Sequence, residues 1–194
     1  MSQKVKHPPV LNVPGKRILL HACCAPCSSA IVECLVNHGL SPVIFYSNSN
    51  IFPEGEFFRR ESECIRYAEE CGLEIVRDDY SHADWRCAVK GLEHEPEKGA
   101  RCEQCFRYRL ERAARYAAEN GFDVLTTTLA SSRWKVLSQV NAAGAYACSL
   151  FPGVRWWDMN WRKGGLQDRR NELIREHNFY NQLYCGCEFS NPQF

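Results

Sequence analysis

The sequence predicts a three-layer α/β domain with a largely parallel sheet. Short apolar runs of strand length alternate with longer segments of helical period along the chain. Glycine or a Pro-Gly pair punctuates the segments, at Gly15, Gly39, Gly72 and Gly121. No internal repeat or low-complexity tract interrupts the alternation. A chain of 194 residues suits one domain and can bury a core without staples.

Residues 1–16 hold Pro8, Pro9 and Pro14 and read as a loose arm before a single domain spanning 17–190. Ile18 to Ala22 follows the Pro14-Gly15 turn and reads as a buried strand. A helix is expected from Pro26 to His38, since proline is tolerated in a first turn, where its missing N–H has no helical partner. Pro42 to Ser47 is the second strand, and SNSNIFPEGE a polar loop. Glu54 and Glu56 lead into a helix through Cys71, on which Phe57, Cys64, Ile65 and Ala68 recur at helical spacing. Leu73 to Val76 is a short third strand. Residues 77–101 lack a clean period and read as a loop insertion with one helix around Ala83–Val89. From Cys102 to Asn120, Phe106, Leu110, Ala113, Ala114 and Ala117 make one apolar face, and Glu111 with Arg115 is a favourable pair one turn apart. Asp123 to Thr127 is a strand. A helix near Trp134–Cys148, an apolar segment near Val154–Trp157 and a helix near Gln167–His177 complete the series.

Net charge is +1, so no global field argues for nucleic acid. The charge is uneven: residues 1–100 carry 11 Lys/Arg against 14 Asp/Glu, and residues 101–194 carry 13 against 9, which permits a basic face in the second half. No stretch approaches a membrane span of about 20 apolar residues. The start, MSQKVKHPPVLNVPGK, lacks the apolar core of a signal peptide, so a cytoplasmic location is the default. The cytosol keeps thiols reduced. Twelve cysteines there argue for metal binding or redox catalysis over a disulfide framework.

The cysteines fall into clusters. RILLHACCAPCSSA brings Cys23, Cys24 and Cys27 to the end of the first strand. RCEQCF puts Cys102 and Cys105 at a helix start, where free amides favour anionic sulfur. LYCGCEF gives Cys185 and Cys187, a pair fit to chelate a metal or to open and close as a tight disulfide across Gly186. Cys34, Cys64, Cys71 and Cys148 sit in helical or apolar contexts and read as packed small hydrophobes; Cys27 and Cys87 are ambiguous. Ligands in folds of this kind collect at the carboxyl ends of strands, which places the first cluster and the TTTLASS loop near one crevice. Four thiolates suit structural zinc or an iron–sulfur cluster, and zinc leaves the CGC pair without a task, so the residues lean to iron–sulfur.

Together, HACCAPCSS, YSNSNIFPEGEFFRR, RCEQCFRYRLERAARYAAENGFDVLTTTLASS and YCGCEFS resemble the QueH-type epoxyqueuosine reductases, over about residues 17–190. The resemblance implies reduction of epoxyqueuosine to queuosine at the wobble position of tRNA. It implies a Rossmann-like fold akin to the PP-loop/HUP nucleotide-binding group. It also implies a 4Fe-4S cluster on Cys23, Cys24, Cys102 and Cys105, with Cys185 and Cys187 as the redox pair. A competing quartet replaces Cys23 or Cys24 with Cys27. A separate mononuclear iron beside the cluster would draw on Asp78, Asp79 and the unused thiols. The expected partners are the tRNA and an external electron donor, with no membrane. Where the family usually reads YNPN, this chain reads YSNSN, which leaves the role of Asn48 open.

Deoxygenation of an epoxide needs two electrons, which a dithiol carries, and a proton for the departing oxygen. Asp79, Tyr80 or His82 could give that proton if the 77–87 loop covers the site, with Asp79 counted among the catalytic candidates. Tyr46, Trp85, Trp156, Trp157 and Trp161 are available to stack a splayed base. Arg59, Arg60, Arg101, Arg107, Arg109, Arg133, Lys135, Arg162, Lys163, Arg169 and Arg170 are candidate phosphate contacts. Two rivals stand beside this reading: a zinc-stabilised RNA-binding module without catalysis, and an ATP-dependent tRNA thiolation enzyme. The second needs a phosphate-binding loop, and no Walker or glycine-rich motif is present, so no ATP requirement is expected.

Overall fold

The computed structural model describes residues 9–190, so the first half of the expected N-terminal arm lies outside the described residues. The five strands, β1 (Ile18–Ala22), β2 (Val43–Tyr46), β3 (Ile75–Arg77), β4 (Val124–Thr127) and β5 (Arg155–Trp156), form one sheet in the order β3-β2-β1-β4-β5. Every neighbouring pair is parallel. The helices are α1 (Ala25–Asn37), α2 (Glu54–Glu70), α3 (His82–Ala88), α4 (Ala100–Glu119), α5 (Leu137–Ser149) and α6 (Leu166–Glu176). Helix α1 packs against α2 and α6, whereas α4 packs against α5 and α3.

β1 is central and buried along its whole length, as a strand covered on both faces must be, and its sequence is accordingly an apolar run with no alternation. Leu19 pairs with Val43 on one side and Leu125 on the other. The chain moves outward from β1 to β3 and then returns to the far side of β1 as β4. The carboxyl ends of β1 and β4 therefore flank the point where the winding reverses, where open parallel sheets leave a crevice. Asp123 holds the amino ends of these strands together: its carboxylate accepts the amides of Lys16 and Arg17 and a guanidinium N–H of Arg155.

The expected elements fall within a few residues of those observed. The largest shift is at α5, which begins at Leu137, not Trp134, because a turn of 3-10 helix at Thr128–Ser131 and a second turn closed by the Lys135 amide on the Ser132 carbonyl intervene. Helix α6 is anchored to α1 by Arg169. This buried side chain, a candidate phosphate contact from sequence, is spent on Glu33 at 2.7 Å and on Glu172 and Glu176 of its own helix. Among the described residues no helix is long and apolar enough to cross a membrane.

Gly144 marks the closest approach of α5 to the sheet. A Cβ there would sit 2.4 Å from the Trp156 indole. Replacing a helical glycine by alanine ordinarily stabilises by about 1 kcal/mol. Overpacking costs about 1–3 kcal/mol and dominates here because the indole is itself wedged against the core. Gly144→Ala is therefore expected to lower stability, measured by urea denaturation, by about 1–2 kcal/mol.

Candidate active site: thiols at the carboxyl ends of the strands

The floor of the site is a set of polar bridges between strand ends. His21, fully buried on β1, contacts the Thr127 hydroxyl at 2.7 Å through Nδ1 and the Ser47 carbonyl at 3.1 Å through Nε2. A carbonyl only accepts, so Nε2 carries the proton and Nδ1 accepts from Thr127. Burial first, and the Arg109 charge second, push the imidazole down to about 3, so it stays neutral. The SNSN segment is buried throughout. Asn48 donates to the Ala22 carbonyl at 2.9 Å and its amide oxygen accepts from Arg109, whose Nε also reaches the Ser47 carbonyl. Asn48 thus ties the end of β1 to a buried guanidinium.

Above this floor, Cys24 is the extended residue that ends β1 and caps α1, and Pro26 starts the helix without needing an amide partner. Cys27 then falls one turn into α1, and its sulfur returns toward the helix start. The sulfurs of Cys23, Cys24 and Cys27 all lie within 4.8 Å of one another. The Cys23 and Cys24 sulfurs are 3.8 Å apart. Thr128 donates to the Cys23 sulfur at 3.2 Å, and Gln182 to the Cys24 sulfur at 2.8 Å. Hydrogen bonds from Cys24 and Cys27, then the Arg109 and Lys135 charges, hold Cys23 well below the usual thiol range. Cys24 is raised by its bond to Cys23, and Cys27 is pushed up to about 11 for the same reason.

The second group faces a different neighbour. Cys102 and Cys105 open α4, and both feel Cys185 and a nearby cation; burial raises both. Cys105 and Cys187 share a small apolar cluster with Trp85 and Val89. Lys135 donates to the Cys185 sulfur at 3.4 Å. The neighbouring Cys187 thiol, and then the charges of Lys135 and Arg109, hold Cys185 well below the usual thiol range. Cys187 is raised by the Cys185 sulfur and by burial, and its Sγ donates to the Ser190 hydroxyl at 3.4 Å. The backbone between them is fixed by Arg60, which donates to the Cys185 carbonyl at 3.0 Å, and by the Phe52 amide on the Gly186 carbonyl at 2.8 Å. Gly186 has φ +113°, and a Cβ there would meet the Arg60 guanidinium at 2.7 Å, so both the conformation and the space demand glycine.

This arrangement corrects the expected cofactor. The four thiols assigned to a 4Fe-4S cluster do not come together. Among the described residues, the group of metal-ligand atoms that converges is Cys23, Cys24 and Cys27. Cys102 and Cys105 turn toward the Cys185–Cys187 hairpin, because α4 starts beside that late loop and not beside the start of α1. Three sulfurs suit a single thiophilic ion with an open coordination position, not a four-ligand cluster. All the cysteines are free thiols, Cys185 and Cys187 among them.

The loop after β3 holds the other predicted residues. Asp78 pairs with Arg112 and accepts from Ser47 at 2.5 Å. The Tyr80 hydroxyl donates to the Ile51 carbonyl at 2.8 Å, and His82 is bonded at both ring nitrogens, to Ser49 and Glu188. The Asp79 side chain is exposed. Of the tryptophans considered for stacking, Trp85, Trp157 and Trp161 are buried in the core, as is Tyr46. Lys135 and Arg109, expected as phosphate contacts, lie among the thiols instead. The cue available in sequence was their position, just past the β4 end and on the α4 face next to Cys105. A cavity of about 460 Å³ lined by Glu93, Glu95, Arg101, Glu188 and Phe189 has no cysteine in its wall, though Phe189 packs against the cluster that holds Cys105 and Cys187.

The fold and the site define an α/β domain with cysteine thiols gathered at the carboxyl ends of its strands. The chain belongs to the epoxyqueuosine reductase QueH family, whose model matches residues 18–193, and it is accordingly an oxidoreductase. It is 46% identical over 174 residues to epoxyqueuosine reductase QueH of Acinetobacter baylyi, covering 90% of this chain and 80% of the relative. Identity to the QueH of Histophilus somni is 44% over 184 residues, covering 94% and 76%. The QueH of Thermotoga maritima is 32% identical over 176 residues, covering 89% of each chain. Among solved structures, the U34-tRNA thiolase NcsA of Methanococcus maripaludis, determined with its [4Fe-4S] cluster, superposes with a TM-score of 0.53 at 14% identity. The match covers 96% of this chain and 63% of that one, a likeness of fold.

The two thiols of the CGC pair are expected to differ in reactivity. With Cys185 depressed and Cys187 raised, the Cys185 thiolate persists as pH falls below the ordinary thiol range, and Cys187 stays protonated. Iodoacetamide at neutral pH should label Cys185 before Cys187, read by peptide mass mapping. Lys135→Met should move the onset of Cys185 labelling to higher pH, and Lys135→Arg should restore it in part.

Proposed function

We propose that this chain reduces epoxyqueuosine to queuosine at the wobble position of tRNA, and that Cys185 and Cys187 supply the two electrons. Membership of the family supports the reaction. The observation that carries the thiol assignment is the asymmetric pair: Cys185 beside the Lys135 ammonium, Cys187 held protonated two residues on with its Sγ on Ser190 Oγ, and a glycine at positive φ between them. An activated thiolate paired with a protonated partner is what a two-step dithiol reduction requires.

The Cys185 thiolate attacks an epoxide carbon, forming a C–S bond and breaking one C–O bond. The resulting alkoxide takes a proton. Cys187 loses its proton and bonds to the Cys185 sulfur. The C–S electron pair becomes the C=C bond, and the hydroxyl leaves as water with a second proton. The substrate gains two electrons and the protein is left with a Cys185–Cys187 disulfide, which an external dithiol or equivalent donor reduces. Lys135 holds the attacking sulfur as an anion, and Arg60 holds the carbonyl of the same residue in place. A single ion held by Cys23, Cys24 and Cys27 would supply Lewis acidity toward the departing oxygen.

Asp79 is assigned the first proton transfer. Of the three candidates on its loop, Tyr80 and His82 already spend their polar atoms on protein partners, whereas the Asp79 carboxylate carries no hydrogen bond among the described residues. The reading places the enzyme in the cytosol, where reduced thiols and tRNA coexist. Kinship with the PP-loop/HUP group of Rossmann-like domains is supported by the strand order and the likeness to the thiolase fold.

Cys187→Ser tests the dithiol directly. It should abolish turnover and leave the substrate joined to Cys185, visible as an RNA–protein adduct on a denaturing gel. Normal turnover of this variant with a physiological reductant would remove the assignment. Asp79→Asn should lower kcat by about 10²–10⁴ with little change in KM, measured by mass analysis of the tRNA; an unchanged kcat returns the proton to solvent.

A further inference from the structure

Trp134 is 68% exposed, while Trp85, Trp157 and Trp161 are buried and Trp156 packs on Gly144. Large aromatics are seldom left so open in a protein whose core has room for four others. Its place in the fold is specific. It precedes Lys135, whose ammonium contacts the Cys185 sulfur, so the indole stands at the rim of the thiol site. The Arg133 guanidinium lies over its ring at 4.9 Å. The segment is held on both sides: the Ser132 hydroxyl accepts the Trp134 amide at 3.4 Å, the Lys135 amide reaches the Ser132 carbonyl at 3.2 Å, and Arg162 donates to the Lys135 carbonyl at 2.7 Å. The indole is thus fastened through its backbone while its ring stays in water. Core packing does not require this, since α5 begins only at Leu137.

The surroundings are cationic. Arg133 and Arg162 flank the segment. The two basic runs of the second half, separate in sequence, meet here. Arg169 is subtracted, because its charge is already neutralised by Glu33, Glu172 and Glu176. An aromatic ring backed by arginine in a basic rim is how single-stranded nucleic acid is held: the cations follow phosphate and the ring takes a base face.

We propose that Trp134, backed by Arg133, is a stacking platform for an unpaired base of the tRNA anticodon loop, next to the base whose epoxide reaches Cys185. This rests on the tRNA reading given above. Stacking of one base on an aromatic ring corresponds to a change in affinity of about 5- to 150-fold. The platform accepts any base face and supplies affinity and position without reading sequence.

Trp134 is the exposed indole, so intrinsic fluorescence reports on it directly. An anticodon stem–loop RNA carrying epoxyqueuosine should quench wild-type fluorescence on binding, and a fully paired duplex of equal length should not. Trp134→Ala should lose the quench, weaken stem–loop binding about 5- to 150-fold by filter retention, and raise KM more than it lowers kcat. Trp134→Phe should recover much of the affinity. Thermal unfolding and the rate of Cys185 alkylation should match the wild type, which separates lost stacking from a disturbed loop. Unaltered stem–loop affinity and KM in Trp134→Ala would overturn the platform and leave the tRNA reading standing, as would equal quenching by the duplex. A wild-type protein that neither binds nor converts the stem–loop would overturn both.

Discussion

Lys135 and Arg109 put fixed positive charge between two groups of buried thiols, and the chemistry of the site depends on that placement. A buried thiol by itself resists ionisation, as Cys34, Cys64 and Cys148 do, raised by burial with no cation to offset it. Cys23 and Cys185 suffer comparable burial and yet are held low, because each lies beside a neighbouring thiol and faces both cations. The dependence is mutual. Burial alone would strip the proton from Lys135, and the sulfur charges of Cys185 and Cys23 outweigh it and keep the ammonium charged. Anions and cations that are individually expensive to bury stabilise one another at close range.

That exchange requires backbone held in register by something uncharged. His21 serves this purpose. It spans the ends of β1, β2 and β4 as a neutral ring, accepting from Thr127 and donating to the Ser47 carbonyl, so it adds no competing charge beside Arg109. Asn48 extends the bridge by joining the Ala22 carbonyl to Arg109. The SNSN loop is therefore polar in composition and buried in fact, with Asn48 spent on the end of β1 and the guanidinium and Ser47 and Ser49 on the loop after β3. The crevice of a parallel sheet supplies the location, and these neutral bridges turn it into a rigid seat for charge.

The fold was legible because its signals are local. Apolar runs, Pro26, the glycines after helices and the α4 stripe each act within a few residues, and the elements they predict are found at Ile18–Ala22, Ala25–Asn37 and Ala100–Glu119. The clustering of cysteines was legible for the same reason. Which cysteines converge was not. It depends on where α4 begins relative to a loop 80 residues later, and no local pattern encodes that distance. Cys102 and Cys105 were grouped with Cys23 and Cys24, and the fold turns them toward Cys185 and Cys187. Cys27 looked ambiguous because its convergence needs one helical turn closing on an extended Cys24. Lys135 and Arg109 were misread because a basic residue near a strand end looks the same in sequence whether it meets phosphate or sulfur.

On the proposed reading the CGC pair, and not the other dithiols, transfers the electrons, and the three pairs differ in geometry. Cys102 and Cys105 sit on a helix, where one turn fixes their separation. Cys23 and Cys24 are adjacent on a turn bonded to Thr128 and Gln182, so each sulfur is already held. Cys185 and Cys187 alone are joined by a glycine at positive φ, in a loop tied by its carbonyls, with Lys135 on one sulfur and Ser190 on the other. Closing a disulfide there moves two sulfurs and few backbone atoms. The cation that held Cys185 as an anion loses its partner when the disulfide forms, which favours return to the reduced state. In the proposed cycle a reductant would restore the thiolate into a site already charged to receive it, with the sheet beneath left in place.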